Sequence, residues 1–155
     1  MPKPFNPSYP SLTMKSKLLI RIAAGCTLFF ALGHTMGHLS RKESNESKVK
    51  EVIRLMEDTK FDLFGQLRSF DENYTGMSLN LIFTLLAFTL LLWFVSALSE
   101  TDPKSCRNLL VPILLCLLGF AVTSYVYFFP VPAITCVLAS IALVTAVLRL
   151  PKVQG

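Results

Sequence analysis

The chain has 155 residues, enough for one domain. It is 52% apolar and only 16% charged, where a soluble domain carries about 25% charged residues. The net charge of +5 does not point to nucleic acid: no basic stripe interleaves with aromatics, and bases at the flanks of apolar runs orient a protein in a bilayer instead.

Residues 1–16 carry Pro2, Pro4, Pro7 and Pro10, each of which removes a backbone donor, and a disordered tail is expected there. Met14, followed by Lys15 and Lys17, also makes a sensible start. The first apolar run is Leu18 to Met36. Ala31-Leu32-Gly33 loosely resembles a signal-peptidase site, and Ala23-Ala24-Gly25-Cys26 a lipoprotein site. Arg21 interrupts the apolar region that either needs, so a retained helix is expected, with Arg21 reaching back to the headgroups.

The polar segment 39–76 comes next. Ser40-Arg41-Lys42-Glu43 has the pattern of a capping box. Val49, Val52, Ile53 and Met56 recur at helical spacing, and Glu46 precedes Lys50 by four, so an amphipathic helix is predicted over about 43–58. Phe61, Leu63, Phe64, Leu67 and Phe70 make the rest too apolar for a free loop; it is expected to pack as a lid or to lie along the interface.

Three more apolar runs complete the chain: Met77 to Leu98, Leu109 to Phe129 and Val131 to Leu148. Each is long enough to span, since about 20 helical residues cross the hydrocarbon core. Pro130 and Pro132 make so short a link that the last two helices must be antiparallel neighbours. The expected fold is an all-α integral membrane four-helix bundle, one domain over 17–150, with spans near 18–36, 77–98, 109–129 and 131–148. A partly helical extracytoplasmic loop joins helices one and two, and a short tail covers 151–155.

Total Lys and Arg are nearly even between the two sides. Lys15, Lys17, Arg21, Lys104, Arg107, Arg149 and Lys152 nevertheless lie at or near helix ends, where the positive-inside rule weighs most. The prediction is an inner (plasma) membrane protein with both termini cytoplasmic and 39–76 outside.

The residues that carry chemistry cluster near one end. No cofactor is predicted, although His34 and His38, four apart, share a helix face and have the spacing to chelate a divalent metal. Zinc takes three or four ligands, and Asp71 or Glu72 is the candidate third. The simplest reading is an interfacial pair hydrogen-bonded to the lid or to headgroups, and proton transfer or a quinone-like ligand is the other alternative. Gly33 and Gly37 form a G-x-x-x-G strip, suited to close helix packing or to an oligomer. Arg68, Asp71 and Tyr74 are placed to face one another across a turn, with Asp71 or Asn73 capping helix two. Asn80 is a polar group needing a partner. Tyr125, with Tyr127, forms an aromatic belt or roofs a pocket. Of the four cysteines, Cys26, Cys106, Cys116 and Cys136, no two have a metal-site spacing. No Asp, Glu or Lys lies inside a span, which argues against an ion-coupled transporter.

Gly33-His34-x-x-Gly37, Gly65-x-x-Arg68-Ser69-Phe70-Asp71 and Tyr74-x-Gly76 resemble segments of small four-helix bacterial inner-membrane proteins. The resemblance implies a four-helix membrane fold with an extracytoplasmic first loop, and it brings no reaction. The functional expectation is a non-enzymatic protein binding a membrane lipid, a small apolar ligand or a membrane protein partner at an outer pocket built from His34, His38, Arg68, Asp71, Tyr74 and Tyr125. The alternative is a membrane-embedded redox or metal-dependent protein using His34 and His38 with Asp71.

Overall fold

The structure is a computed structural model that describes residues 9–151, with side chains from 15 onward. Its elements are α1 (Tyr9–Ser40), α2 (Ser47–Asp58), β1 (Lys60–Leu63), β2 (Gln66–Ser69), α3 (Phe70–Thr101), α4 (Pro103–Tyr127) and α5 (Pro130–Arg149). Of the expected tails, residues 1–8 and 152–155 lie outside the described residues. Residues 9–16 are instead the first turns of α1; Pro10 sits in the opening turn, where a missing N–H costs no helical bond.

Helices α1, α3, α4 and α5 are each long and apolar enough to cross a membrane. Their outward side chains, among them Phe29, Leu90, Leu115, Val122 and Ile141, are exposed, which suits a lipid solvent. Half of the apolar window of α5 is buried against about a third or less in the others, so α5 is the most enclosed.

The chain divides into two compact units. One joins the described parts of 1–30 and 86–155; the other is Ala31–Leu85. In the first, α4 and α5 bring their backbones together most extensively. Cys106, Leu110, Ile113, Leu117, Ala121 and Ser124 form a three-and-four-spaced seam on α4. The α5 seam is mostly small: Ala133, Cys136, Ala139, Ser140, Ala142 and Ala146. Small residues are what let membrane helices close up where the hydrophobic effect gives no drive. Ile20, Ala23 and Ala24 of α1 and Leu92 and Val95 of α3 complete this core.

Its polar groups are handled locally. Thr27 donates to Ala24 O and shares a hydroxyl bond with Thr89 at 3.0 Å. Arg21 lies 4.5 Å over the Trp93 ring and donates to Ser96 Oγ, so it finds partners within the unit and does not rely on headgroups alone. Lys17 pairs with Glu100 at 2.7 Å. Arg107 donates to Leu150 O at 2.8 Å, closing carbonyls left open at the end of α5.

The polar stretch after Leu98 is not a loop. Only Asp102 separates α3 from α4, because Pro103 cannot continue α3 but opens α4 well, and the Asp102 carboxylate accepts from Ser105 N. Hydrogen bonds from Ser105 hold the Asp102 carboxyl below the usual carboxylate range.

In the second unit the all-α expectation fails at one point: β1 and β2 form an antiparallel hairpin, Lys60 opposite Ser69 and Leu63 opposite Gln66. The two turn residues, Phe64 (φ 53°) and Gly65 (φ 81°), are both left-handed. That is the signature of a type I′ hairpin turn, whose first position favours Asn, Asp or Gly. A phenylalanine there costs about 1–2 kcal/mol. Asp62 Oδ1 accepts from Gly65 N at 2.7 Å and holds the turn.

Two sequence expectations about helix starts are also corrected. The capping box belongs to Ser69 and Glu72: Glu72 N donates to Ser69 Oγ at 3.1 Å and Ser69 N donates to Glu72 Oε2 at 2.7 Å. It opens α3, so neither Asp71 nor Asn73 is its cap. Ser40 lies at the end of α1 and donates back to Met36 O. Helix α2 begins at Ser47 with Glu46 as an N-cap that makes no side-chain cap bond. No residue of α2 is buried, so its Val49–Val52–Leu55 side stays uncovered.

Candidate functional site

Within the unit Ala31–Leu85, the end of α1 and the start of α3 run past each other in opposite directions, joined by polar side chains. His34 Nε2 lies 3.0 Å from Ser78 Oγ. In the turn just past the end of α1, Arg41 donates to Thr75 Oγ1 at 2.9 Å, pairs with Asp71 Oδ1 at 2.6 Å, and lies 4.8 Å over the Tyr74 ring. Lys42 donates to Asp71 Oδ2 at 2.9 Å and also to Glu57 near the end of α2. The bonds to Glu57 and then Asp71 raise the Lys42 ammonium above its ordinary pKa, so it is charged at neutral pH.

This arrangement changes the expected partnerships. Asp71 and Tyr74 do share one cation, but it is Arg41. Arg68 instead donates to Gln66 Oε1 at 3.0 Å and sits 3.6 Å from Glu72. The sequence reading missed Arg41 and Lys42 because it assigned them to a capping box. Tyr125 is exposed in the other unit.

The donor set does not suit a metal held by His34, His38 and Asp71. Both Asp71 oxygens are taken by cations, and Glu72 is engaged by Ser69 N. Among the described residues no group of three His, Cys, Asp or Glu side chains is placed to hold an ion. His38 Nδ1 is nevertheless shielded from solvent without a hydrogen-bond partner among those residues. At Gly33 and Gly37 an added Cβ would meet nothing within 4 Å, so none of the described helices packs on the strip.

A groove in this unit is lined in part by Arg68. It has a volume of about 380 Å³ and is lined by Leu63, Arg68, Glu72, Asn73, Met77 and Asn80, with Gly76 in its wall. Positions 73, 76, 77 and 80 follow one face of α3, and Gly76 leaves that face open. The open groove sets one guanidinium, one carboxylate and two carboxamides beside apolar Leu63 and Met77. A second groove of about 410 Å³, in the other unit, runs along Ile22, Phe29, Ile134 and Leu138 and has no charged group to select an occupant.

No family model, curated protein or solved structure matches the chain.

Proposed function

We propose that this is a non-enzymatic multi-pass protein of the inner (plasma) membrane that holds a phospholipid in the groove beside Arg68. The observation that carries the reading is the groove's make-up. Arg68 offers a lipid phosphate a forked set of donors, Asn73 and Asn80 offer carboxamides to ester or headgroup oxygens, and Leu63 and Met77 receive the start of an acyl chain. Glu72 is held by the capping box, and it biases the site toward a headgroup that carries an amine as well as a phosphate.

The test is lipid extracted from protein purified in mild detergent. Retained phospholipid is expected, and Arg68→Ala should weaken retention roughly tenfold or more, because a hydrogen bond to a charged group contributes about 1.5–3 kcal/mol. Equal retention by a folded Arg68→Ala protein removes the reading. The unpartnered His38 Nδ1 favours a second reading, in which His34 and His38 give two donors and a second copy, meeting along Gly33 and Gly37, completes a divalent metal site. Elemental analysis of the same sample decides it: stoichiometric metal that disappears in His38→Ala supports this reading, and metal-free protein ends it.

We place both termini in the cytoplasm and 39–76 outside, on the strength of the bases flanking the helix ends. A cysteine at Ser47, in a chain whose own cysteines are replaced, should react with an impermeant thiol reagent in intact cells. Protection of that cysteine reverses the orientation.

A further inference from the structure

Helix α3 has 32 residues, about 48 Å at 1.5 Å each, against a hydrocarbon core of about 30 Å. Its first turns therefore stand in the headgroup layer, and its apolar run begins only at Met77. The hairpin before it does not point away from the membrane. Leu63, next to its tip, lines the same groove as Met77 and Asn80, so the strands fold back along α3 and bring the tip level with its second and third turns. Phe61, at the base of the hairpin, stacks on Phe70 with ring centroids 4.6 Å apart and fixes this direction.

Opposed residues of an antiparallel pair share a face. Phe61, Leu63, Gln66 and Arg68 thus form one face, the one that meets α3. Leu67 lies on the other and is exposed. Phe64, at the turn, is fully exposed and held at a positive φ that its own side chain disfavours. Strain of this kind persists where the side chain has a use.

We infer that the hairpin is a wedge in the leaflet, with Phe64 and Leu67 set among lipid at the boundary between headgroups and acyl chains. The depth set by Met77 and the unbroken run of chain from Ser69 into α3 make bilayer lipid the occupant. A shallow placement is also what the backbone requires, since open strand edges are not tolerated in the hydrocarbon core. Lys60 and Arg68 sit near the base, where their charges reach water or phosphate, and Asp62, opposite Leu67, accepts from Gly65 N and keeps that face no deeper than the headgroup layer. The inference is independent of the lipid in the groove.

A Phe64→Trp, Trp93→Phe protein, reconstituted in phospholipid vesicles, reports on the tip alone, because Trp93 is the only native tryptophan. Its emission is expected to be blue-shifted, poorly quenched by acrylamide, and strongly quenched by lipids brominated near the glycerol end of the chain. The same result is expected after Arg68→Ala, even if that variant empties the groove. Phe64→Asn, favoured at this turn, relieves the positive φ and should raise the melting temperature in detergent. Emission like that of tryptophan in water, or shielding seen in native membranes but not in vesicles of the pure protein, overturns the inference; the latter would assign the tip to a protein partner.

Discussion

Asp71→Asn is expected to destabilise the unit Ala31–Leu85 by about 3 kcal/mol, the low end of what removing one partner from a buried ion pair costs. The Asp71 side chain is 12% exposed and that of Arg41 16%, so neither charge has much water to fall back on. Arg41 would keep Thr75 and the Tyr74 ring but lose its anion, and Lys42 would keep only Glu57. The mechanism is a charge left uncompensated, which gives a sharper test than the single variant. Arg41→Leu with Asp71→Leu should recover most of the loss, because both charges go together. Every partner lies in one unit, so hydrogen exchange should speed up roughly 100-fold at the end of α1 and the start of α3 while the α4–α5 amides keep their rates. Unchanged exchange in Asp71→Asn, or a double variant worse than either single one, would remove the ion pair from any account of how these helices are joined.

The four long helices were legible because lipid imposes a length and a composition that survive without knowledge of packing. What the sequence hid was governed by local competition or by tertiary choice. Ser40-x-x-Glu43 and Ser69-x-x-Glu72 are the same pattern, and only the residues downstream separate them: a long apolar run beyond Glu72, a polar one beyond Glu43. The hairpin has four residues per strand, too few for a period of two to stand out beside Phe61, Phe64 and Phe70, and its turn carries a phenylalanine where asparagine is the usual signal. The candidate site was half legible. Asp71 and Tyr74 do act together, but through Arg41, thirty residues back, and no spacing rule selects that partner over Arg68. The groove was unreadable for a related reason: it exists because the hairpin folds back onto α3, and it is Gly76, not Tyr74, that leaves the helix face open.

The seam between α4 and α5 should be the least forgiving place in the other unit. Ala139→Leu adds three heavy atoms at a buried alanine, 1% exposed, in the core that α5 shares with α1, α3 and α4. Overpacking of this kind costs about 1–3 kcal/mol, and more when the backbone must move. Here relief is hard to find: Leu117 and Leu143 are fully buried in the same core, and Pro130 fixes the start of α5 close to the end of α4. Alanine and leucine have nearly equal helix propensity, so the effect reports packing and not helix formation. Ile141→Leu, two residues along and facing outward, is the matched control and should fall within about 0.5 kcal/mol of the parent. Thermal unfolding in detergent measures both. If Ala139→Leu melts with the parent, α4 and α5 are not held at small-residue distance, and the seam is loose enough to take a larger side chain.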